Sequence, residues 1–198
     1  MADPVVEYDD RTALLVVDVQ NDFADPKGSL SVQGGDEVVP VINAEVERAA
    51  ASDALVVYTR DWHPPDTPHF AERGGRWPVH CVRDTWGAEL HPDLVVAGME
   101  VKKATGFEDG YSGFSVQHLD SGTVAPTELA DVLRERGVER VVIAGLATDY
   151  CVRETGLDAR RLGFDTTVLR AAVRAVEVEA GDGDRALDEL AAAGVAIK

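Results

Sequence analysis

A chain of 198 residues with a formal net charge of −17 lacks the basic surface that nucleic acids and anionic membranes require. Its 45% hydrophobic content suits a soluble globule with one full core, and no apolar run approaches membrane-spanning length. Two cysteines, Cys81 and Cys151, are too few for a disulfide scaffold, and the acidic start MADPVVEYDDRT has no basic-then-apolar leader. These features predict a cytoplasmic protein with free thiols and one domain over residues 1–198.

The first predicted element is the apolar run Thr12–Val17, a strand buried on both faces and ending at Asp18. A loop over Val19–Gly34 leads into an amphipathic helix from Gly35-Asp36 to about Ala51, with Pro40 in its first turn. Ala54–Thr59 reads as the second strand, ending at Arg60-Asp61. Asp61–Leu94 is long and irregular, and its Trp, His and Cys content predicts an ordered, functional loop. A strand at Met99–Lys103 precedes a second irregular stretch, Ala104–Thr123. Pro126–Arg136 is predicted helical, with Pro126 near its start and Gly137 just past its end. The strand Val141–Ala144 then turns through Gly145–Tyr150 into a helix that begins at Cys151 and stops at Gly163. Thr166–Leu169 (strand), Asp184–Ala193 (helix) and Val195–Ile197 (strand) complete the chain. Strands alternating with helices give a three-layer α/β/α domain around a mainly parallel sheet.

Ligands of parallel sheets sit beyond the carboxyl ends of the strands. Asp18, Asp61, Lys103 and Cys151 all fall on that edge, each from a different strand. A cysteine nucleophile needs a base or an ionising field. Asp18 is the candidate base, because no histidine stands at a spacing that marks a Cys-His dyad. Lys103 can lower the thiol pKa, as can the start of the following helix; the adjacent Lys102 is not separated from Lys103 by alternation alone. Amides of the Leu146–Cys151 turn can meet an oxyanion, which points to acyl transfer from an amide or ester.

A second constellation is Asp61-Trp62-His63 with His69 and His80, which takes three of the five histidines. Imidazoles with a carboxylate suit a borderline divalent ion, zinc first, with iron and manganese as other candidates. Loop spacing does not fix that geometry, and a polar loop whose histidines only hydrogen-bond is the competing reading. Cys81 is expected as a small buried residue, and His91 and His118 as surface residues.

DVQNDF (Asp18–Phe23), DWHPPDTPHF (Asp61–Phe70), WPVHC (Trp77–Cys81), Lys103 ahead of YSGF (Tyr111–Phe114), and GLATDYCVRETGLDA (Gly145–Ala159) together resemble the nicotinamidases of the isochorismatase-like cysteine hydrolases. The likeness runs from about residue 12 to the end. It implies a catalytic triad of Asp18, Lys103 and Cys151, and a metal held by Asp61, His63 and His80, with His69 at the position of a further ligand. Phe23 and Trp77 would sandwich a pyridine ring, Tyr111 would line the pocket, and Asn21 would reach a metal-bound water. The Leu146–Ala147 peptide would be cis, with the amides of Ala147 and Cys151 forming the oxyanion hole. The implied activity is deamidation of the small molecule nicotinamide to nicotinate, as in NAD salvage, with pyrazinamide as a second substrate. Relatives that act on other aromatic amides or carbamoyl compounds are the alternative. The short acidic loop ATGFEDG after Lys103 is the departure that bears on substrate range. The sequence leaves open whether the chain forms a homo-oligomer.

Overall fold

The computed structural model describes residues 6–198. The strands in chain order are β1 (Thr12–Val17), β2 (Leu55–Asp61), β3 (Met99–Lys103), β4 (Glu108–Asp109), β5 (Ser115–His118), β6 (Val124–Pro126), β7 (Arg140–Leu146), β8 (Asp165–Arg174) and β9 (Ala196–Ile197). The helices are α1 (Asn21–Ala24), α2 (Val38–Ala50), α3 (Leu129–Glu135), α4 (Arg153–Arg161) and α5 (Asp182–Ala192). A six-stranded sheet runs β3-β2-β1-β7-β8-β9, and every pairing in it is parallel. Among the described residues, no helix is long and apolar enough to cross a membrane.

All six residues of β1 are buried because both faces of the sheet are covered. Leu14 and Val16 pack with Val38, Ile42 and Val46 of α2 on one side. Ala13, Leu15 and Val17 pack with Leu129 and Leu133 of α3 and Leu187 and Leu190 of α5 on the other. The period-2 alternation of the strand and the period-3.6 stripes of the helices thus build the expected three layers.

Register brings the carboxyl ends level. Val17 stands opposite Thr59 and Gly145, and Asp61 opposite Lys103. The β7–β8 ladder shifts register between Ile143 and Gly145. Gly145 has φ 118°, and a Cβ there would lie 2.1 Å from the Val17 carbonyl oxygen, so only glycine lets β7 approach β1 this closely.

Several local expectations need correction. The Val19–Gly34 loop contains the short helix α1. The Ala104–Thr123 stretch is not wholly irregular, since β4 and β5 join β6 in a three-stranded antiparallel sheet. Pro126 is not at a helix start. It ends β6, an edge strand where a missing N–H is tolerated, and α3 begins only at Leu129. His91 is buried, its N–H donating to the Val19 carbonyl (2.9 Å) and its Nδ1 accepting from the Asp93 N–H (3.3 Å). His118 is exposed as expected.

Candidate active site and metal centre

Asp18, Lys103 and Cys151 meet beneath the carboxyl edge, 0%, 1% and 7% exposed. Lys103 Nζ lies 2.8 Å from Asp18 Oδ2 and 3.6 Å from Cys151 Sγ, and it also donates to Asp61 Oδ1 and the Gly110 carbonyl. Lys102 is exposed, its ammonium lying over the Trp62 ring, so alternation along β3 selects Lys103. The Thr59 hydroxyl donates to Asp18 Oδ1 (2.7 Å), and Oδ2 faces the Lys103 ammonium. A carboxylate oxygen of Asp18, one of Asp61 and Cys151 Sγ lie within 4.8 Å of one another. The Asp18 carboxylate thus stands beside both the thiol and the ammonium.

Burial raises the Asp18 pKa against the lowering field of Lys103. Burial would lower Lys103, but the Asp18 and Asp61 carboxylates outweigh it and hold the ammonium well above its usual value. The Cys151 thiol is pushed well above its usual value, first by burial, with Lys103 opposing and Asp18 and Asp61 adding to the rise. The lowering by Lys103 that the sequence suggested is present but outweighed, since desolvation and two carboxylates exceed one ammonium. Cys151 does not open a regular helix. It sits inside a π-helical turn, Thr148–Val152, that precedes α4. Burial thus favours the thiol form of Cys151, and the Asp18 carboxylate is a nearby group that can take its proton.

The Leu146–Ala147 peptide is cis. Among the described residues the Ala147 N–H has no hydrogen-bond acceptor, while the Ala147 carbonyl accepts from Tyr150 (3.1 Å) and Val152 (3.0 Å). Asp149 accepts from the amides of Val176 (2.9 Å) and Glu177 (3.0 Å), tying the nucleophile turn to the segment after β8.

His63, His69 and His80 converge next to this cluster, all buried, with one ligand atom from each lying within 4.8 Å of the others. Their ring centroids are 4.6 Å (63–69), 5.0 Å (63–80) and 5.3 Å (69–80) apart. Asp61 Oδ2 stands 3.7 Å from His63 Nε2. His80 Nδ1 donates to the Pro78 carbonyl (2.7 Å) and His69 Nδ1 to Asp109, which leaves Nε2 of both rings as lone-pair donors. Neither nitrogen of the fully buried His63 has a partner among the described residues. Burial pushes His80 down to about 4, so its ring is neutral at physiological pH, as a ligand must be. Three imidazoles, a carboxylate and an orphaned buried ring fit a borderline divalent ion.

Phe23, Asp61, His63, His69, Trp77, His80, Tyr111, Ala147 and Cys151 line one cavity of about 440 Å³ of empty space, open at its mouth. The predicted ring-binding aromatics are thus on its walls. Trp77 Nε1 donates to the Tyr111 hydroxyl (2.8 Å), and burial pushes Tyr111 up to about 12, keeping it a neutral acceptor. Asn21 does not line this cavity: its Nδ2 donates to the Trp86 carbonyl (2.8 Å), and its buried Oδ1 has no partner among the described residues.

Sequence reasoning missed four contributors. Asp109 holds His69, and Tyr150 packs edge-on against Trp77 (4.9 Å). Gln20 accepts from the Asp61 N–H and donates to its carbonyl (both 2.8 Å), and Asp149 anchors Val176, which also lines the cavity. Gln20, Asp149 and Tyr150 lie inside the quoted motifs, and their position beside Asp18 or Cys151 was the available signal.

An isochorismatase domain model matches residues 12–197. The nicotinamidase of Escherichia coli (strain K12) is 36% identical over 93% of each chain. The zinc-bound pyrazinamidase of Pyrococcus horikoshii superimposes with a TM-score of 0.84 at 44% identity, over 95% of this chain and 98% of that one. PnC1 from L. infantum, solved with nicotinate, gives a TM-score of 0.87 at 34% identity, over 98% and 95%.

Proposed function

From the premise that the chain belongs to the isochorismatase domain family, we propose that it is a metal-containing cysteine amidohydrolase that converts nicotinamide to nicotinate and ammonia. The observation that carries this reading is the buried Asp18–Lys103–Cys151 cluster at the floor of a cavity walled by Phe23, Trp77 and Tyr111 beside three convergent imidazoles.

Asp18 Oδ2 takes the Cys151 proton as Sγ attacks the carboxamide carbon. Lys103 offsets the negative charge that moves onto Sγ as Asp18 is neutralised, and so keeps the new thiolate ionised for attack. The free Ala147 N–H, with the Cys151 N–H, stabilises the oxyanion. Asp18 returns the proton to the leaving nitrogen, ammonia departs, and a thioester joins the acyl group to Cys151. Asp18 then accepts a proton from water as the water oxygen attacks the thioester carbon. Sγ leaves as thiol and nicotinate is released. Asp61, His63, His69 and His80 would hold the divalent ion. When bound, that ion orients the ring by holding the pyridine nitrogen directly or through water. Zinc is the first candidate, and iron and manganese suit the same donors. Pyrazinamide, one ring nitrogen different, enters the same walls and reacts too.

Cys151→Ala tests the assignment. Ammonia release from nicotinamide is lost while metal content per chain is unchanged. Retained turnover in that variant overturns the covalent route, and a wild-type protein full of metal but inert toward nicotinamide overturns the substrate.

A further inference from the structure

The three histidines are oriented by different means. His80 is fixed by a carbonyl two residues away on its own loop, and His63 stacks on His69 and meets His80 edge-on. His69 depends on a segment distant in sequence: its Nδ1 is held by Asp109, 40 residues on, in the acidic loop after β3. The backbone bonds at His69 itself are long, 3.3 Å from its N–H to Thr67 Oγ1 and 3.4 Å from the Trp77 N–H to its carbonyl.

We infer that Asp109 is a positioning residue of the metal centre, selecting the His69 tautomer that presents Nε2 to the ion. The inference rests on the metal reading proposed above and extends it to a residue outside the ligand set. A carboxylate behind a ligating imidazole fixes the ring and raises its basicity. The loop is built to hold that carboxylate still. A Cβ on Gly110 would lie 2.9 Å from both the Cβ and the N of Ala104, so the loop closes tightly on its own start. The Gly110 carbonyl takes a bond from Lys103 Nζ. Two neighbouring residues of one loop therefore serve the two halves of the site, Asp109 the histidines and Gly110 the triad. Glu108, pointing the other way, accepts from the Gly106 N–H (2.9 Å) and braces the loop.

The test compares wild type, His69→Ala, Asp109→Ala and Asp109→Asn, each stripped of metal and then titrated with zinc against a chromophoric chelator. Zinc affinity falls about 10- to 100-fold in Asp109→Ala and falls less in Asp109→Asn, whose amide oxygen still accepts. The visible spectrum of the cobalt-loaded protein changes in Asp109→Ala and reverts toward wild type in Asp109→Asn, which a merely structural role would not produce. Affinity within about threefold of wild type in Asp109→Ala, with His69→Ala clearly weakened, overturns this inference alone. Wild type that takes up no zinc, or unchanged affinity in His69→Ala, overturns the ligand assignment and this inference with it. If Asp109→Ala does not fold, Asp109→Asn decides: a weakened affinity is expected, and an unchanged one overturns the inference.

Discussion

Replacing Lys103 with Met keeps most of the side-chain volume and removes the one ammonium that Asp18, Asp61 and Cys151 share. With an effective permittivity of about 20, opposite charges at the 2.8 Å separation of Lys103 and Asp18 attract by about 6 kcal/mol. Part of this is recovered because the lysine no longer has to be desolvated, and part because a carboxylate can take up a proton. The net loss at about pH 8 should be about 3–5 kcal/mol, the usual cost of stranding buried charge. The sign of the pH dependence follows. Without Lys103 the buried Asp18 keeps the desolvation that raises its folded-state pKa above the ordinary 3.8 and loses the field that lowers it, so its protonated, stabilising state is lost as pH rises. Urea unfolding of Lys103→Met and wild type at about pH 5 and about pH 8 should therefore give a smaller deficit at the lower pH. Turnover should fall by about 10²- to 10⁴-fold, since Asp18 would be protonated and unable to accept from Cys151. A deficit below about 1 kcal/mol, or one that is the same at both pH values, would refute the account of Lys103 as the charge that makes this buried site tenable.

Burial takes His80 from 6.5 down to about 4, so between those values the unfolded chain binds a proton that the native metal-free protein does not. Stability of the metal-free form should fall by about 2 kcal/mol from about pH 7.5 to about pH 5, and urea unfolding of His80→Gln should lack that slope; equal slopes would refute it. Gly145→Ala should cost at least about 2 kcal/mol, because its Cβ meets the Val17 carbonyl as well as an unfavourable φ. Gly163→Ala has a similar positive φ (92°) with nothing within 4 Å, so its melting point should drop distinctly less; equal drops would show that φ alone sets the cost.

The centre of the parallel sheet was readable because β1 is buried on both faces and so is written as a continuous apolar run, Thr12–Val17; the edge strand β3, Met99–Lys103, buries only alternate residues and was readable by that alternation. Once those strands are parallel, chain direction alone sends Asp18, Asp61, Lys103 and Cys151 to one edge. The β4–β5–β6 sheet was not readable. Its strands are two to four residues long and mostly half-buried or exposed, so cross-strand pairing, which local pattern does not carry, decides them. The net balance of effects on the Cys151 thiol was not readable for a related reason. A helix start and a lysine are visible in one dimension, but the depth of burial and the two opposing carboxylates appear only when four strands are assembled. Asp109 was invisible as one acid among several in ATGFEDG, since only the fold brings that loop to His69.

The two halves of the site are attached to the molecule differently, and this gives them different lifetimes. Asp18, Asp61, Lys103 and Cys151 sit at the ends of β1, β2, β3 and β7, neighbouring strands of the sheet. They separate only when the whole domain unfolds, so the amides of Val16, Val17 and Ile143 exchange with solvent at the global rate. His69 and His80 stand on a long loop held by backbone bonds around two isolated bridges, His63 with Val82 and Phe70 with Trp77, and by ties to Asp22, Asp109 and Tyr111, with no part of it in the main sheet between Asp61 and Met99. That loop can open locally while the sheet stays closed. An ion held at the proposed centre would then exchange through excursions of that loop, with Asp18 and Lys103 staying in place at the sheet edge.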